Sequence, residues 1–204
     1  MTITTSDPDW TESIRDIFTT RLRPHKLLIV VGKTMSGKNT LIEQELLPMG
    51  YELVRMHTTR PQRPTETAGA YHFEQTIDPH GLALREYDMV GGHVGYWTTL
   101  ADLQRPDSPL IVNDVTGAIA LIDAVGVHNA QVIYVDTLDS VIDERVLASE
   151  RGRSEDIAET KRRLADDRYQ FRHLDNFFGN QGQNLVMTGG IFKWVNQAHG
   201  QAEI

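Results

Sequence analysis

The residues best suited to chemistry form a glycine-bounded stretch near the start of the chain. Gly32 to Lys38 reads GKTMSGK and fits the pattern G-x-x-x-x-G-K, after an apolar run and before a helix-like segment. Glycines let a backbone wrap around an anion, its N–H groups point inward, and the following helix N-terminus adds favourable partial charge. The stretch therefore predicts a phosphate-binding loop in which Lys38 reaches the β- and γ-phosphates of a nucleotide.

The residue after the loop lysine departs from the usual pattern. Asn39 stands where such loops carry a serine or threonine that holds Mg²⁺. An asparagine carbonyl oxygen can also face a hard cation, and magnesium often keeps several waters. We therefore predict a working phosphate loop whose Mg²⁺ is handled through Asn39 or through water. The predicted ATP phosphate site comprises Gly32, Ser36, Gly37, Lys38, Asn39 and Thr40.

A second candidate phosphate site lies downstream of the loop. Arg60 and Arg63 are three residues apart beside prolines, in the stretch TTRPQR. Guanidinium forks on a rigid backbone can clamp one phosphate through paired hydrogen bonds. The alternative is a solvated basic turn, and the phosphate loop upstream favours the clamp.

The elements that would position these residues alternate along the chain. Apolar runs bounded by turns predict strands, and segments with helical periodicity follow them. Continuous apolar strands alternating with helices indicate an α/β fold, with a parallel sheet covered on both faces and ligands beyond the carboxyl ends of its strands. The predicted strands are Lys26–Val31, Glu52–Met56, Leu110–Asp114 and Gln131–Val135, and the predicted helices are Gly37–Leu47, Thr116–Val125, Leu138–Glu150 and Ser154–His173.

Three segments fall outside this alternation. Tyr71 to Thr99 contains short extended pieces and many glycines, which predicts a small inserted lobe over about residues 57–99. Ala148 to Asp156 is a charged, glycine-containing connection between helical stretches, which predicts a mobile lid. Residues 1–23 form an N-terminal extension with a predicted helix from Asp9 to about Leu22, and residues 24–204 form the main domain.

Composition restricts the classes of function. The 204 residues suffice for one domain with small inserted lobes. The formal net charge of −8 provides no global basic field for nucleic acid or anionic membranes. The absence of cysteine excludes disulfides, thiolate metal sites and cysteine nucleophiles. The apolar runs are too short to span a bilayer and the N-terminus lacks a secretory pattern, so we expect a soluble, cytoplasmic protein, either a monomer or a homodimer.

The arginine segment carries a family resemblance. HTTRPQRPTETAGAYHF, residues 57–73, resembles the signature of guanylate kinases, in which T-T-R-x-x-R is followed by G-E-x-x-G and a tyrosine. With the loop at Gly32, the order and spacing of segments are similar to that family over roughly residues 26–198. The resemblance implies a P-loop three-layer fold with a monophosphate-binding lobe and a lid. It also implies transfer of the γ-phosphoryl group of ATP, with Mg²⁺, to GMP, dGMP or another nucleoside monophosphate.

The resemblance assigns roles to individual residues on the acceptor side. It implies that Arg60, Arg63, Tyr71 and Tyr96 bind the monophosphate. ALREYDMVGGHVGYWTT resembles the segment with a base-reading glutamate, so Glu86 would accept hydrogen bonds from guanine and Thr98 would face the base.

Further resemblances cover the strand and helices downstream. PLIVNDVTGA, residues 109–118, resembles a strand of the family, and Asp114 would bind metal-bound water or the base, or serve only as a helix cap. The later segments assign Arg151 and Arg163, with Arg162 as a rival, to the transferring phosphoryl group. LDNFFGN, Leu174–Asn180, resembles the terminal strand of the family, which implies that Asn180 lies near the donor adenine.

Three departures leave the acceptor open. Met56 replaces a serine that helps to read guanine O6, Val112 replaces an aspartate, and Asn39 alters the phosphate loop. One alternative is a kinase for a phosphorylated sugar such as ribose 1,5-bisphosphate, a related family that also lacks serine or threonine after the loop lysine. Another is a catalytically weak, guanylate kinase-like binding module, although most of the phosphate-binding residues are retained.

Overall fold

The computed structural model describes residues 2–4, 26–62, 66, 69–89, 92–150, 157–172 and 191–195. The strands over these ranges are β1 (Thr2–Thr4), β2 (Leu27–Gly32), β3 (Glu52–Leu53), β4 (His57–Thr58), β5 (His72–Phe73), β6 (Leu82–Met89), β7 (Gly92–Thr98), β8 (Pro109–Asn113), β9 (Ala130–Asp136) and β10 (Ile191–Val195). The helices are α1 (Lys38–Leu41, continued by a π-helical turn at Ile42–Leu46), α2 (Leu100–Gln104), α3 (Val115–Val125), α4 (Asp139–Glu150) and α5 (Ile157–Arg172), and a 3₁₀ turn covers Val127–Asn129.

A six-stranded parallel sheet forms the centre of the fold, in the order β1-β10-β9-β2-β8-β3. This arrangement confirms the predicted α/β class with a parallel sheet. The register pairs Val31 with Asn113 and Gly32 with Val135, so β2, β8 and β9 end at the same edge. The phosphate loop, Asp114 and the connection after β9 therefore leave the sheet side by side, where ligands bind in open α/β sheets.

Apolar side chains on both faces of the sheet hold the three layers together. Leu27, Ile29 and Val31 pack on one face in a cluster that includes residues of α3 and α5. Leu28 and Val30 pack on the opposite face against the α1 region. Successive side chains of β2 point to opposite faces of the sheet, and every residue of the strand is buried, as expected for a strand covered on both sides.

A second, four-stranded sheet lies between β3 and β8 in the sequence, in the order β5-β4-β7-β6. β4 pairs in parallel with β5, and the long strands β6 and β7 pair antiparallel. The register of β6 against β7 shifts between Ala83 and Arg85, so Leu84 is an extra residue in its strand. A bulge of this kind changes which side chains after it face a given side of the sheet.

Some predicted boundaries differ from the structure. The predicted strand Glu52–Met56 is limited to Glu52–Leu53 because the chain crosses to the second sheet, where the carbonyl of Met56 accepts from the backbone N–H of His72 at 2.9 Å. The strand beside β9 is Ile191–Val195, whereas the sequence placed a terminal strand at Leu174–Asn180, which lies outside the described residues. The predicted Asp9–Leu22 helix also lies outside them, as does most of the predicted lid.

None of the helices in the described part of the chain combines the length and the apolar character needed to cross a membrane.

Candidate active site

The phosphate loop has a backbone that these particular residues permit. Gly37, just before α1, has φ of 96° and Met35 has φ of 64°, so the chain passes twice through the left-handed region. A Cβ on Gly32 would lie 2.7 Å from Ser36 Oγ and 2.8 Å from the carbonyl oxygen of Val135. Glycine at position 32 therefore lets the loop turn tightly over the end of β9.

The side chain of Lys38 folds back beneath the loop. Its Nζ donates to the carbonyl oxygens of Gly32 and Lys33, at 2.8 and 2.7 Å. Burial lowers the pKa of Lys38 to about 8, although the negative charge of Asp167 acts in the opposite direction. The ammonium is therefore held by the loop's own carbonyl groups, in the cavity that Lys38 lines.

A carboxylate of α5 occupies one of the loop's backbone donors. The N–H of Thr34 donates to Oδ2 of Asp167, and the Asp167 side chain is buried. Charge-assisted hydrogen bonds from loop N–H groups are those that a phosphate oxygen would accept. The Asp167 carboxylate thus takes the place of an anion in this structure.

Three further contacts attach the loop to its surroundings. An Nη of Arg145 on α4 donates to the carbonyl of Met35 at 2.7 Å, and Thr137 Oγ1 donates to that of Ser36 at 2.8 Å. Met35 also packs against a small apolar cluster of α4 and α5, formed by Ile142, Val146 and Leu164. The conformation of the loop therefore depends on the position of these two helices.

The predicted members of the ATP phosphate site differ in placement. Gly32 and Lys38 line the central cavity, and Ser36 is buried within the loop. Asn39 and Thr40 are exposed on α1, and neither lines the cavity. The structure therefore does not bring the Asn39 amide to the cavity, where the sequence predicted a contact with metal.

Arg60 lies at the centre of a dense polar cluster. Its guanidinium forms a bidentate pair with Glu66, at 2.9 and 2.6 Å, and its Nε donates to the hydroxyl of Tyr96 at 2.8 Å. The ring of Tyr71 lies 5.3 Å from the guanidinium carbon. Burial acts to lower the pKa of Arg60, but its bonds to Glu66 and Tyr96 raise the pKa overall. Three predicted acceptor-site residues, Arg60, Tyr71 and Tyr96, are therefore in mutual contact.

The strand β6 presents different residues to the cavity from those predicted. Arg85 and Tyr87 line it, whereas Glu86 is exposed and bonds to His93 Nε2 at 3.0 Å. Hydrogen bonds that the imidazole donates to the carboxylates of Asp88 and Glu86 raise the pKa of His93. The structure therefore does not bring Glu86, the expected base-reading residue, to the cavity. The reason is the extra residue at Leu84, after which Arg85 and Tyr87 share the cavity face with Tyr96.

Asp114 has two partners, one on each carboxylate oxygen. Oδ1 accepts from the N–H of Gly117 at 2.9 Å and caps α3, while Oδ2 lies 3.4 Å from an Nη of Arg85. Burial raises the pKa of Asp114, and the bond from Gly117 and the charge of Arg85 act against this. The carboxylate is therefore a helix cap that also lines the cavity, and its role towards a ligand stays a prediction.

The helix α5 carries basic and acidic groups into the same space. Arg162 and Arg163 both line the cavity, with the guanidinium of Arg162 5.3 Å from the ring of Tyr87. An ion pair of 2.6 Å between Arg168 and Asp143 fixes α5 to α4. The sequence left Arg162 and Arg163 as rivals, and both reach the cavity.

One cavity joins these groups. It extends from the phosphate loop to β6 and β7, and its described lining has an excess of basic over acidic side chains, although the whole chain is acidic. Such a cavity favours anionic ligands. The basic side chains are Lys38, Arg60, Arg85, Arg162 and Arg163, and the acidic ones are Glu66, Asp114 and Asp167.

Among known proteins, a solved guanylate kinase from Anaplasma phagocytophilum has a similar structure. The two chains are 16% identical, the match covers 85% of this chain and 78% of that one, and the TM-score is 0.49. No protein-family model and no curated protein matches the chain. The functional assignment below therefore depends on the contacts of this chain's own side chains.

Of the remaining predicted residues, Thr98 does not line the cavity, and the other three lie outside the ranges that the structure describes. Thr98 is fully buried, and its hydroxyl has no hydrogen-bond partner among the described residues. Arg63, Arg151 and Asn180 lie outside the described ranges. No group of three or more His, Asp or Glu side chains suited to a metal ion occurs within those ranges.

Several residues of the cavity were not predicted. Glu66 occupies the glutamate position of the G-E-x-x-G pattern, and Asp167 follows Arg163 by four residues on the same face of α5, so both had a signal in the sequence. Arg85 had none, because its orientation depends on the bulge at Leu84.

Proposed function

We propose that this protein is an ATP-dependent nucleoside monophosphate kinase. The observation that carries the proposal is that one cavity is lined by the phosphate loop, through Gly32, Thr34 and Lys38, and by the cluster of Arg60, Tyr71 and Tyr96. A loop of this kind suits the triphosphate of a donor, and a buried guanidinium with two tyrosines suits the phosphate of an acceptor. Two anion-binding groups facing one space are what phosphoryl transfer between two bound phosphates requires.

In this mechanism the chain acts by positioning and charge. Lys38, Arg163 and Arg151 stabilise the negative charge that spreads over the transferring phosphoryl group. Arg60 and Arg63, with Tyr71 and Tyr96, would hold the acceptor so that its phosphate oxygen attacks the γ-phosphorus in line. The resemblance adds Asn180 on the side of the donor adenine.

Magnesium fits the oxygen donors of the cavity. Asp167 presents a carboxylate to the cavity that Lys38 also lines, and protein-bound Mg²⁺ commonly takes one or two carboxylates, phosphate oxygens and water. Bound there, the ion would neutralise charge on the β- and γ-phosphates. Asn39, being exposed, would contribute through water.

The test is ADP production from Mg-ATP with GMP, dGMP, AMP, dAMP, CMP, dCMP, UMP and dTMP as acceptors. We expect one acceptor to raise ADP production far above the acceptor-free rate. Lys38→Ala should lower turnover by at least about 10²-fold, whereas the matched variant at the exposed Lys161, Lys161→Ala, should retain it. Unchanged turnover in a folded Lys38→Ala protein would refute this mechanism.

A second candidate is a kinase for a phosphorylated sugar with two phosphate groups. The observation in its favour is that Arg85 and Arg162 flank the ring of Tyr87, at 5.2 and 5.3 Å, in addition to the basic cluster at Arg60. Turnover of ribose 1,5-bisphosphate above every nucleoside monophosphate would favour it. Binding of a monophosphate without turnover would favour the binding-module interpretation.

A further inference from the structure

The part of the cavity formed by β6 contains an arginine where the sequence predicted a glutamate. The Arg85 guanidinium lines the cavity, while the carboxylate of Glu86 is on the opposite face of the strand with His93. A carboxylate can only accept hydrogen bonds, and a guanidinium can only donate them. A ligand at this position must therefore present hydrogen-bond acceptors, whereas the predicted glutamate would have required donors.

Arg85 is close to its counter-ions without being saturated by them. Its Nη atoms lie 3.4 Å from Asp114 Oδ2 and 3.9 Å from Asp166 Oδ2. Both separations exceed the 2.7–2.9 Å typical of charge-assisted hydrogen bonds. Arg85 side-chain exposure is 22%, and its guanidinium carbon lies 5.2 Å from the centre of the Tyr87 ring. Its donors are thus oriented by two carboxylates and a ring, and can still bond to a ligand.

Arg85 and Asp114 together form a donor–acceptor pair. Asp114 side-chain exposure is 10%, and its Oδ2 faces Arg85 while its Oδ1 is engaged by the N–H of Gly117. A ligand edge that meets both residues would offer two acceptors to the guanidinium fork and a donor to the carboxylate. The pair therefore specifies an order of groups along that edge.

Charge favours a neutral ligand group at this position. Arg85 and Arg162 are accompanied by Asp114 and Asp166, with Arg162 3.2 Å from Asp166. Because the two positive charges have two negative partners, a second phosphate would gain little attraction and would lie beside Asp114. A planar base, with its edge towards the pair and near the Tyr87 ring, meets no such opposition.

We propose that Arg85 and Asp114 select the acceptor base by an edge that presents two adjacent hydrogen-bond acceptors followed by a donor. Cytosine has this order in O2, N3 and the N4 amino group, and guanine has it in N7, O6 and N1–H. Adenine and uracil alternate acceptor, donor and acceptor instead. This inference rests on the proposed function, and it names the substrate as a cytosine or guanine nucleoside monophosphate.

The test is calorimetric binding of CMP, GMP, 7-deaza-GMP, AMP and UMP to the full chain, with ADP production measured on the same protein. The variants are Arg85→Gln, Arg85→Lys and Glu86→Gln, with Arg105→Gln as the matched control, because Arg105 is exposed on the surface. Circular dichroism and thermal unfolding establish that each variant is folded. Arg85→Lys keeps the positive charge beside Asp114 but loses the fork, which separates base selection from folding.

The wild-type chain should bind CMP or GMP at least about ten-fold more tightly than AMP and UMP. Arg85→Gln and Arg85→Lys should abolish most of that ratio, whereas Arg105→Gln should keep it. If the preferred ligand is GMP, 7-deaza-GMP, which lacks the N7 acceptor, should bind more weakly than GMP, with an affinity close to that of AMP. If the preferred ligand is CMP, 7-deaza-GMP and GMP should bind with equal affinity.

Three results would overturn the inference while leaving a kinase in place. The first is that AMP or UMP is phosphorylated and binds as tightly as CMP and GMP. The others are an affinity ratio that both Arg85 variants retain, or one that only Glu86→Gln removes. Absence of both binding and phosphorylation for every monophosphate would overturn the inference and the proposed function together.

Discussion

The two arginines of the acceptor side, Arg60 and Arg85, have different environments in one cavity. Arg60 has 6% side-chain exposure and bonds to Glu66, Tyr96 and the carbonyl of Pro61 at 2.6–2.9 Å. Arg85 has 22% exposure and lies 3.4 Å or more from its carboxylates. Four of the five side-chain N–H groups of Arg60 are thus engaged by protein groups, whereas Arg85, which matches no family signature, has donors within reach of a ligand. A phosphate that binds Arg60 must therefore compete with Glu66, whereas a ligand group at Arg85 meets donors that are not fully engaged.

The largest expected effect concerns stability. Arg60→Gln removes one partner of a buried ion pair and leaves the Glu66 carboxylate without a counter-charge, so we expect the free energy of unfolding to fall by about 3–5 kcal/mol. Arg85→Gln breaks longer and more exposed contacts, so its loss should be about 1 kcal/mol or less. Urea denaturation of the two variants measures both values. Equal decreases in the free energy of unfolding would show that the contacts of Arg60 and Arg85 contribute equally to stability, contrary to this prediction.

A second prediction compares both arginines with Lys38, the half-buried cation on the donor side. Its folded-state pKa of about 8 lies below the ordinary value of 10.5, so the unfolded chain binds more protons between these pH values and stability rises with pH there. The destabilisation is complete below pH 8 and is relieved as the pH approaches 10.5. Lys38→Met removes this pH-dependent destabilisation together with two hydrogen bonds, so we expect any stability advantage of the variant over the wild type to be greatest below pH 8.

The advantage of Lys38→Met should decline between pH 8 and pH 10, the window set by the Lys38 pKa. Urea unfolding at several pH values measures it, and Lys161→Met, a change at an exposed lysine, should alter stability by no more than about 0.5 kcal/mol. A variant less stable than the wild type at every pH would show that the two hydrogen bonds outweigh burial.

The smallest expected effect concerns Glu66, whose carboxylate forms the bidentate pair with Arg60. Glu66→Gln keeps an oxygen near the guanidinium but removes the negative charge, so an external phosphate no longer competes with a carboxylate. We expect inorganic phosphate to bind up to about ten-fold more tightly, which corresponds to about 1.4 kcal/mol, as measured by calorimetry. Glu74→Gln, at an exposed glutamate, should leave the affinity unchanged. Weaker binding in Glu66→Gln would show that Glu66 orients Arg60 for phosphate.

Local patterns predicted the fold and part of the candidate site. Ile29, Ile111 and Ile133, within the predicted apolar runs, are fully buried in strands, as continuous hydrophobic segments between helices require in a parallel sheet. The loop from Gly32 to Lys38 could be predicted from the sequence because a side chain at Gly32 would clash and Gly37 has a positive φ that glycine adopts readily. These features depend on residues close in sequence, which is why a single sequence suffices to predict them.

The cavity wall formed by β6 could not be predicted in the same way. The sequence alone gives no reason for the extra residue at Leu84, and a shift of one residue exchanges the faces of Arg85 and Glu86. The bond between Thr34 and Asp167 joins positions 133 apart, so it depends on how α5 packs against the loop. Resemblance assigns a role to a position in the sequence, whereas packing decides which side chain reaches the ligand.

The contact between Asp167 and the N–H of Thr34 has a consequence for nucleotide affinity. An anion that takes this N–H must first displace the carboxylate, so the Thr34–Asp167 contact and occupation of the Thr34 N–H by a nucleotide phosphate are mutually exclusive states of one equilibrium. The apparent dissociation constant then equals the intrinsic constant divided by the fraction of molecules in which the contact is open.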